Sequence, residues 1–128
     1  MSATVRFEKE LNCFWFEITG SESRLVYFNL IREMFDHPEY RPGMDAIWDL
    51  READLGKLDS ATAMDGAMEQ SSMAERRGES RIVVVVRDEY SYGMVRMYLG
   101  YSNSDHLQIH ICYDLEEAKR FIAQDAGS

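Results

Sequence analysis

Residues 82–86 form an unbroken run of five β-branched side chains between Arg81 and Arg87, and this run constrains the fold more than any other feature. Branching at Cβ favours extended backbone, and an apolar run without polar alternation is typical of a strand covered on both faces. Such strands occur in parallel sheets whose crossover connections are helices. The run therefore predicts a central, buried strand over 81–87 in a layered α/β domain.

The remaining elements are predicted from the spacing of apolar residues. Period-two alternation or a short apolar run predicts four further strands, over 4–11, 13–18, 44–50 and 107–113. Apolar residues at helical spacing predict about four helices, over 24–35, 59–76, 92–101 and the segment after Asp114. Because strands alternate with helices after an opening antiparallel hairpin, we expect one domain over 1–128 with a mixed, mostly parallel five-stranded sheet. Its core is expected over about 4–123, with a frayed tail at 124–128.

The charge of the chain favours some partners over others. Fourteen Lys and Arg against 23 Asp and Glu give a formal net charge of −9. Such a surface repels phosphate backbones and anionic headgroups, which argues against nucleic acid and membranes and favours cationic protein faces. No run approaches the ~18 apolar residues of a membrane span, and no signal peptide is expected. Cys13 and Cys112 lie in apolar strands, so we expect both to be buried and reduced, in a bacterial-type cytoplasm.

Four short passages carry a resemblance to a known family. They are Ala-Ile-Trp-Asp-Leu at 46–50, the pair Asp59 and Ser60, the 82–86 strand followed by Tyr-Gly-Met-Val-Arg-Met at 92–97, and Tyr-Asp-Leu-Glu-Glu-Ala at 113–118. With the element order, these passages resemble the sulfate transporter and anti-sigma factor antagonist (STAS) fold. They are most similar to the STAS-like group of the sporulation anti-sigma factor antagonist (SpoIIAA-like). The resemblance implies a single STAS-like domain that regulates by binding a protein.

The resemblance also implies a switch at Ser60, which matches the phosphorylated serine of the family's Asp-Ser pair. A phosphate at a helix start meets free amides and adds about two negative charges, here beside Asp59, so it would switch a docking face by repulsion. Ala-Thr-Ala at 61–63 stands where the family has a Ser- or Gly-rich helix start. The competing interpretation makes Asp59 an ordinary helix cap and Ser60 an ordinary first-turn residue.

A partner or ligand face is predicted where an acidic turn meets the helices that carry methionine. Its acidic members are Asp49, Glu52, Asp54 and Asp59. Its apolar members are Met64, Met68, Tyr92, Met94 and Met97. Ligands of open α/β sheets bind at the carboxyl ends of strands, and methionine-rich surfaces adapt to partners or apolar ligands. A solvated acidic loop and methionines that fill the core are the competing interpretations.

Two functions of different classes remain open. The first is a non-catalytic regulatory or protein-binding module, and the second is a carrier or sensor of a small apolar or lipid-like ligand. An enzyme using the acidic turn is a weaker third, because no catalytic motif indicates one, and no cofactor is expected. His37, His106 and His110 are scattered and predict no metal site. The opening hairpin leaves a strand edge through which a homodimer would form.

Overall fold

The computed structural model describes residues 2–21, 24–55, 80–100 and 107–123. Five strands form one mixed sheet in the order β1-β2-β3-β4-β5. The strands are β1 (Ser2–Glu8), β2 (Cys13–Gly20), β3 (Asp45–Ala53), β4 (Ser80–Val85) and β5 (Leu107–Cys112). The helices within the described ranges are α1 (Arg24–Asp36), α2 (Glu89–Gly100) and α3 (Leu115–Ala123). The helix predicted over 59–76 and the tail at 124–128 lie outside these ranges.

The opening hairpin is confirmed, with a shorter first strand than predicted. β1 pairs antiparallel with β2, and the turn between them uses Asn12 at a positive φ of 51°. Asparagine tolerates this left-handed conformation better than most residues. Residues 9–12 therefore belong to the turn, although the alternation predicts strand as far as 11. β1 is an edge strand, as dimer formation through it requires. The dimer itself stays a prediction.

The 82–86 run is buried in the sheet interior, as predicted, but it does not form the middle strand. β4 pairs in parallel with β3 on one side and β5 on the other. Burial follows from helices on both faces of the sheet, and the middle position belongs to β3. Val86 lies just beyond the strand, where its N–H donates to the carbonyl of Cys112 at 2.9 Å.

The sheet separates two apolar layers. Side chains of α1 and α2, including Phe28, Met34 and Val95, pack in the larger cluster on one face. Ala118 and Ile122 of α3 pack on the opposite face. α1 connects β2 to β3, and α2 lies between β4 and β5. Because these parallel strands advance in one direction across the sheet, right-handed crossovers bring α1 and α2 to the same face. The helix after β5 makes no crossover and covers the other face.

β3 is longer than the sequence predicts. The short apolar run predicts a strand that ends at Leu50 and a loop from 51 onward, whereas the strand continues to Ala53. The reason is an irregularity in the pairing with β2: the register shifts between Glu17 and Thr19, after which Thr19 faces Glu52. A bulge of this kind lets pairing continue past an interruption. Within the described residues, no helix is long and apolar enough to cross a bilayer.

Candidate functional site

The carboxyl ends of β2, β3, β4 and β5 meet along one edge of the sheet, because these strands are parallel. Each of the described helices begins just after one of these strands. We call this edge the carboxyl rim, formed by Ser21, Leu25, Glu52, Asp54, Arg87, Asp88, Tyr90, Tyr113 and Asp114. Loops at this edge carry the ligand sites of open α/β sheets.

Asp49, predicted in the acidic turn, lies inside β3 and is only 7% exposed. Arg51 holds its carboxylate: Nε donates to Oδ1 at 2.9 Å and Nη2 donates to Oδ2 at 3.0 Å. The backbone N–H of Arg51 also donates to Oδ1, at 3.2 Å. The same contact raises the pKa of Arg51, first through the hydrogen bond to Asp49. Asp49 is thus a buried carboxylate with a partner on its own strand.

Glu52 and Asp54 do lie at the rim, and both are exposed. The hydroxyl of Ser21 donates to Oδ2 of Asp54 at 3.1 Å, and the N–H of Asp54 donates to the carbonyl of Gly20 at 3.0 Å. These bonds join the ends of β2 and β3. Two of the four acidic residues named from the sequence therefore share this surface. Asp59 and Ser60 lie outside the described residues.

Two aspartates cap the helices that begin at the rim. Asp88 accepts a hydrogen bond from the N–H of Ser91 at 2.9 Å, and Asp114 accepts one from the N–H of Glu117 at 2.8 Å. The backbone hydrogen bond from Ser91 is the main reason that the pKa of Asp88 is lowered. A carboxylate at a helix start also faces the positive end of the helix dipole. The chain itself therefore neutralises these two helix ends.

Exposed apolar side chains concentrate at the same edge. Among the described residues, the exposed large hydrophobic side chains are Leu25 (61%), Tyr90 (60%) and Tyr113 (49%), and each lies at or beside a helix start. Tyr92 stacks on Tyr113 with ring centroids 5.7 Å apart. Desolvation and then Glu89 raise the pKa of Tyr113. The rim thus presents aromatic surface among carboxylates.

The predicted methionine face is only partly described. Met94 packs against the larger core cluster, and Met97 is half-buried on α2. Met64 and Met68 lie outside the described residues. Packing of Met94 agrees with the core-filling interpretation for that residue, while the role of the others stays a prediction.

Sequence reasoning missed one cluster of potential metal ligands. His110 and Cys112 lie two residues apart on β5 and point to the same face as Glu117 of α3, with their ligand atoms within 4.8 Å of one another. The alternation of β5 already placed His110 and Cys112 on one face, and Asp114 already marked the helix start. Burial, and secondarily Glu117, raises the pKa of Cys112 to about 11.

Comparison with known proteins supports the fold. No protein family and no curated protein matches the chain significantly. A solved structure of an uncharacterized DUF3478-family protein from Shewanella loihica PV-4, described as having a SpoIIAA-like fold, is similar with a TM-score of 0.62. The similarity covers 94% of this chain and 92% of that chain at 12% identity. The chain therefore has a SpoIIAA-like α/β fold.

Proposed function

Starting from a SpoIIAA-like fold, we propose that this chain is a non-catalytic regulatory module that binds a protein at the carboxyl rim. The observation that carries this proposal is that the exposed large hydrophobic side chains of the described residues, Leu25, Tyr90 and Tyr113, all lie at that edge. Exposed aromatic side chains are typical anchors of protein interfaces. Scattered single apolar residues would need no explanation, but three at one edge favour an interface.

The charge of the rim indicates the chemistry of the partner. Glu52, Asp54 and Asp114 are exposed there, and Arg87 lies beside the carboxylate of Asp88, with Nε and Oδ2 3.4 Å apart. The whole chain carries a net charge of −9. We therefore propose a partner with a basic face and an apolar pocket for Tyr90 or Tyr113, whose association rate falls as salt rises.

Affinity capture with the purified chain as bait tests this proposal. The double variant Tyr90→Ser with Tyr113→Ser removes the aromatic anchors, while Lys9→Ser with Glu10→Ser alters the exposed turn at the opposite end of the sheet. The basic protein retained by the wild type is expected to be lost with the first variant and kept with the second. Equal retention by both variants would contradict the rim as the docking surface.

A switch at Ser60 is part of the same proposal. Phosphate there adds about two negative charges near Asp59, and this alters how a charged partner docks. The binding constant of the captured partner is expected to differ at least about fivefold between Ser60→Asp and Ser60→Ala, as typical coupling energies allow. Identical binding constants for the two variants would contradict the switch at Ser60 but not the docking surface at the carboxyl rim.

Native mass spectrometry of the same preparation separates this proposal from the carrier function. A binding module is expected to carry no lipid-sized adduct. A lipid-sized adduct that Met68→Asp abolishes would favour the carrier of an apolar ligand instead.

A further inference from the structure

A histidine, a cysteine and a glutamate converge on the face of the sheet that α3 covers. The Nε2 atom of His110 lies 3.5 Å from Oε2 of Glu117, and the Sγ atom of Cys112 completes a group whose ligand atoms all lie within 4.8 Å. Cys112 is buried, whereas the side chains of His110 and Glu117 are 39% and 47% exposed. The thiol thus forms the floor of the cluster, and the imidazole and carboxylate form its wall toward solvent.

Local structure holds each of the three groups in place. His110 and Cys112 lie on the same face of β5 because side chains two residues apart in a strand point to the same side. The cap made by Asp114 fixes the first turn of α3 and so places Glu117 above them. The ring of Phe121 stacks on the imidazole of His110, with centroids 4.7 Å apart and planes 9° from parallel. These contacts fix the His110 ring and the backbone from which Cys112 and Glu117 project.

From this geometry we infer that His110, Cys112 and Glu117 bind a divalent transition metal of the zinc class. Thiolate, imidazole and carboxylate are all zinc ligands, whereas Ca²⁺ and Mg²⁺ prefer oxygen alone. Ligand atoms of a tetrahedral zinc site lie about 3.5 Å apart, given bond lengths of about 2.0 to 2.3 Å. The separation of His110 from Glu117 already matches this value.

The remaining separations close with small side-chain movements. Glu117 is a long, half-exposed side chain, and such side chains change rotamer readily. Binding replaces the thiol proton of Cys112, which leaves as H⁺, and His110 binds as neutral imidazole. Three protein ligands leave a fourth position on the exposed side, which water fills. The metal would tie β5 to α3 immediately beside the carboxyl rim.

Titration of the metal-free chain with Co²⁺ tests this inference. Cobalt replaces zinc in such sites, and its bond to a thiolate gives a charge-transfer absorption in the near ultraviolet. We expect this band to saturate at one equivalent of Co²⁺ and to disappear on addition of Zn²⁺. Cys112→Ser is expected to abolish the band, and His110→Gln or Glu117→Gln to weaken Co²⁺ binding about tenfold or more.

Matched variants control for the other thiol and for surface carboxylates. Cys13→Ser removes the other buried cysteine of the same sheet face, and Glu116→Gln neutralises an exposed neighbour of Glu117. Both are expected to keep the wild-type band and affinity. His110→Gln and Glu117→Gln change half-exposed side chains and are expected to fold. Their Co²⁺ affinities therefore test the inference even where Cys112→Ser fails to fold. Absence of the band in the wild type, or wild-type binding by both of these variants, overturns the inference.

Discussion

Arg81 is bound to Asp45 on the neighbouring strand by two hydrogen bonds, from its backbone N–H to Oδ1 and from Nη2 to Oδ2, each 2.8 Å long. The same guanidinium donates to the carbonyls of Phe121 and Ile122 at 2.6 and 2.7 Å. One side chain therefore joins β3 to the last turn of α3, where carbonyls need donors and the dipole favours a cation. This contact anchors the helix that carries Glu117.

Arg81→Met is expected to destabilise the fold. The side chains of Arg81 and Asp45 are only 13% and 18% exposed. The variant therefore leaves a poorly hydrated carboxylate with only the backbone N–H of residue 81, and it removes the guanidinium donor of two carbonyls. A loss of about 2–4 kcal/mol in the free energy of unfolding is expected. Urea denaturation measures it. Arg87→Met, at a mostly exposed ion pair, serves as the control and should stay within about 0.5 kcal/mol of the wild type.

The pair Asp49 and Arg51 is expected to contribute to stability. Arg51→Gln removes both guanidinium bonds from a buried carboxylate, although the 40% exposure of the Arg51 side chain moderates the effect. We expect a loss of about 1–2 kcal/mol for this variant and a coupling of about 1 kcal/mol in a cycle with Asp49→Asn. Additive losses in denaturant unfolding would show that the two side chains act independently.

The fold was largely predictable because its signals are local. Alternation defined the hairpin, and the 82–86 run defined a buried strand. Two features were missed because they depend on neighbouring strands. The extension of β3 to Ala53 requires pairing with β2 across an irregular register, and the middle position of β3 depends on strand order.

The candidate site was less predictable. Nothing in the identity of Asp49 distinguishes it from Asp54, yet Asp49 lies buried inside β3 and paired with Arg51, whereas Asp54 lies exposed at the rim. His110 and Cys112 share a face by simple alternation, which a search for metal-binding motifs with longer spacing overlooks. Glu117 joins them only through the packing of α3 on the sheet, which sequence spacing does not specify.

The cap at the start of α2 is expected to make stability depend on pH. The folded pKa of Asp88 lies below its ordinary value of 3.8, chiefly because its carboxylate accepts the backbone N–H of Ser91. The carboxylate of Asp88 therefore stabilises the fold above pH 3.8, and this stabilisation is lost as the pH falls through the lower folded pKa. The melting temperature of Asp88→Asn should lie below that of the wild type at pH 7, and the difference between the two temperatures should narrow in acid. Thermal unfolding across this range measures it.

A difference in melting temperature that stays constant from neutral to acid pH would show that the Asp88 carboxylate does not act through its charge. Glu10→Gln is the matched control, because it also removes one carboxylate but lies in the exposed turn after β1. It is expected to change the melting temperature less than Asp88→Asn at pH 7.

Cys13 is expected to resist alkylation in the folded chain. Burial, and then the nearby carboxylate of Asp45, raises the pKa of its thiol to about 12. At pH 8 about one thiol in ten thousand is then ionised, and its surroundings also exclude reagent. Peptide mapping after iodoacetamide treatment should show Cys13 unmodified in the native chain and fully modified in urea. Rapid modification in the native chain would place the thiol at the surface.

Photo-crosslinking tests the docking surface most directly. A photoreactive amino acid is placed at position 90 or 113 on the carboxyl rim, and at position 10 at the opposite end of the sheet as the control. We expect positions 90 and 113 to capture the same basic protein and position 10 not to capture it. Excess wild-type chain is expected to compete with this capture, whereas the double variant Tyr90→Ser with Tyr113→Ser is not. Equal capture from all three positions, or capture from position 10 alone, would contradict the docking surface at the carboxyl rim.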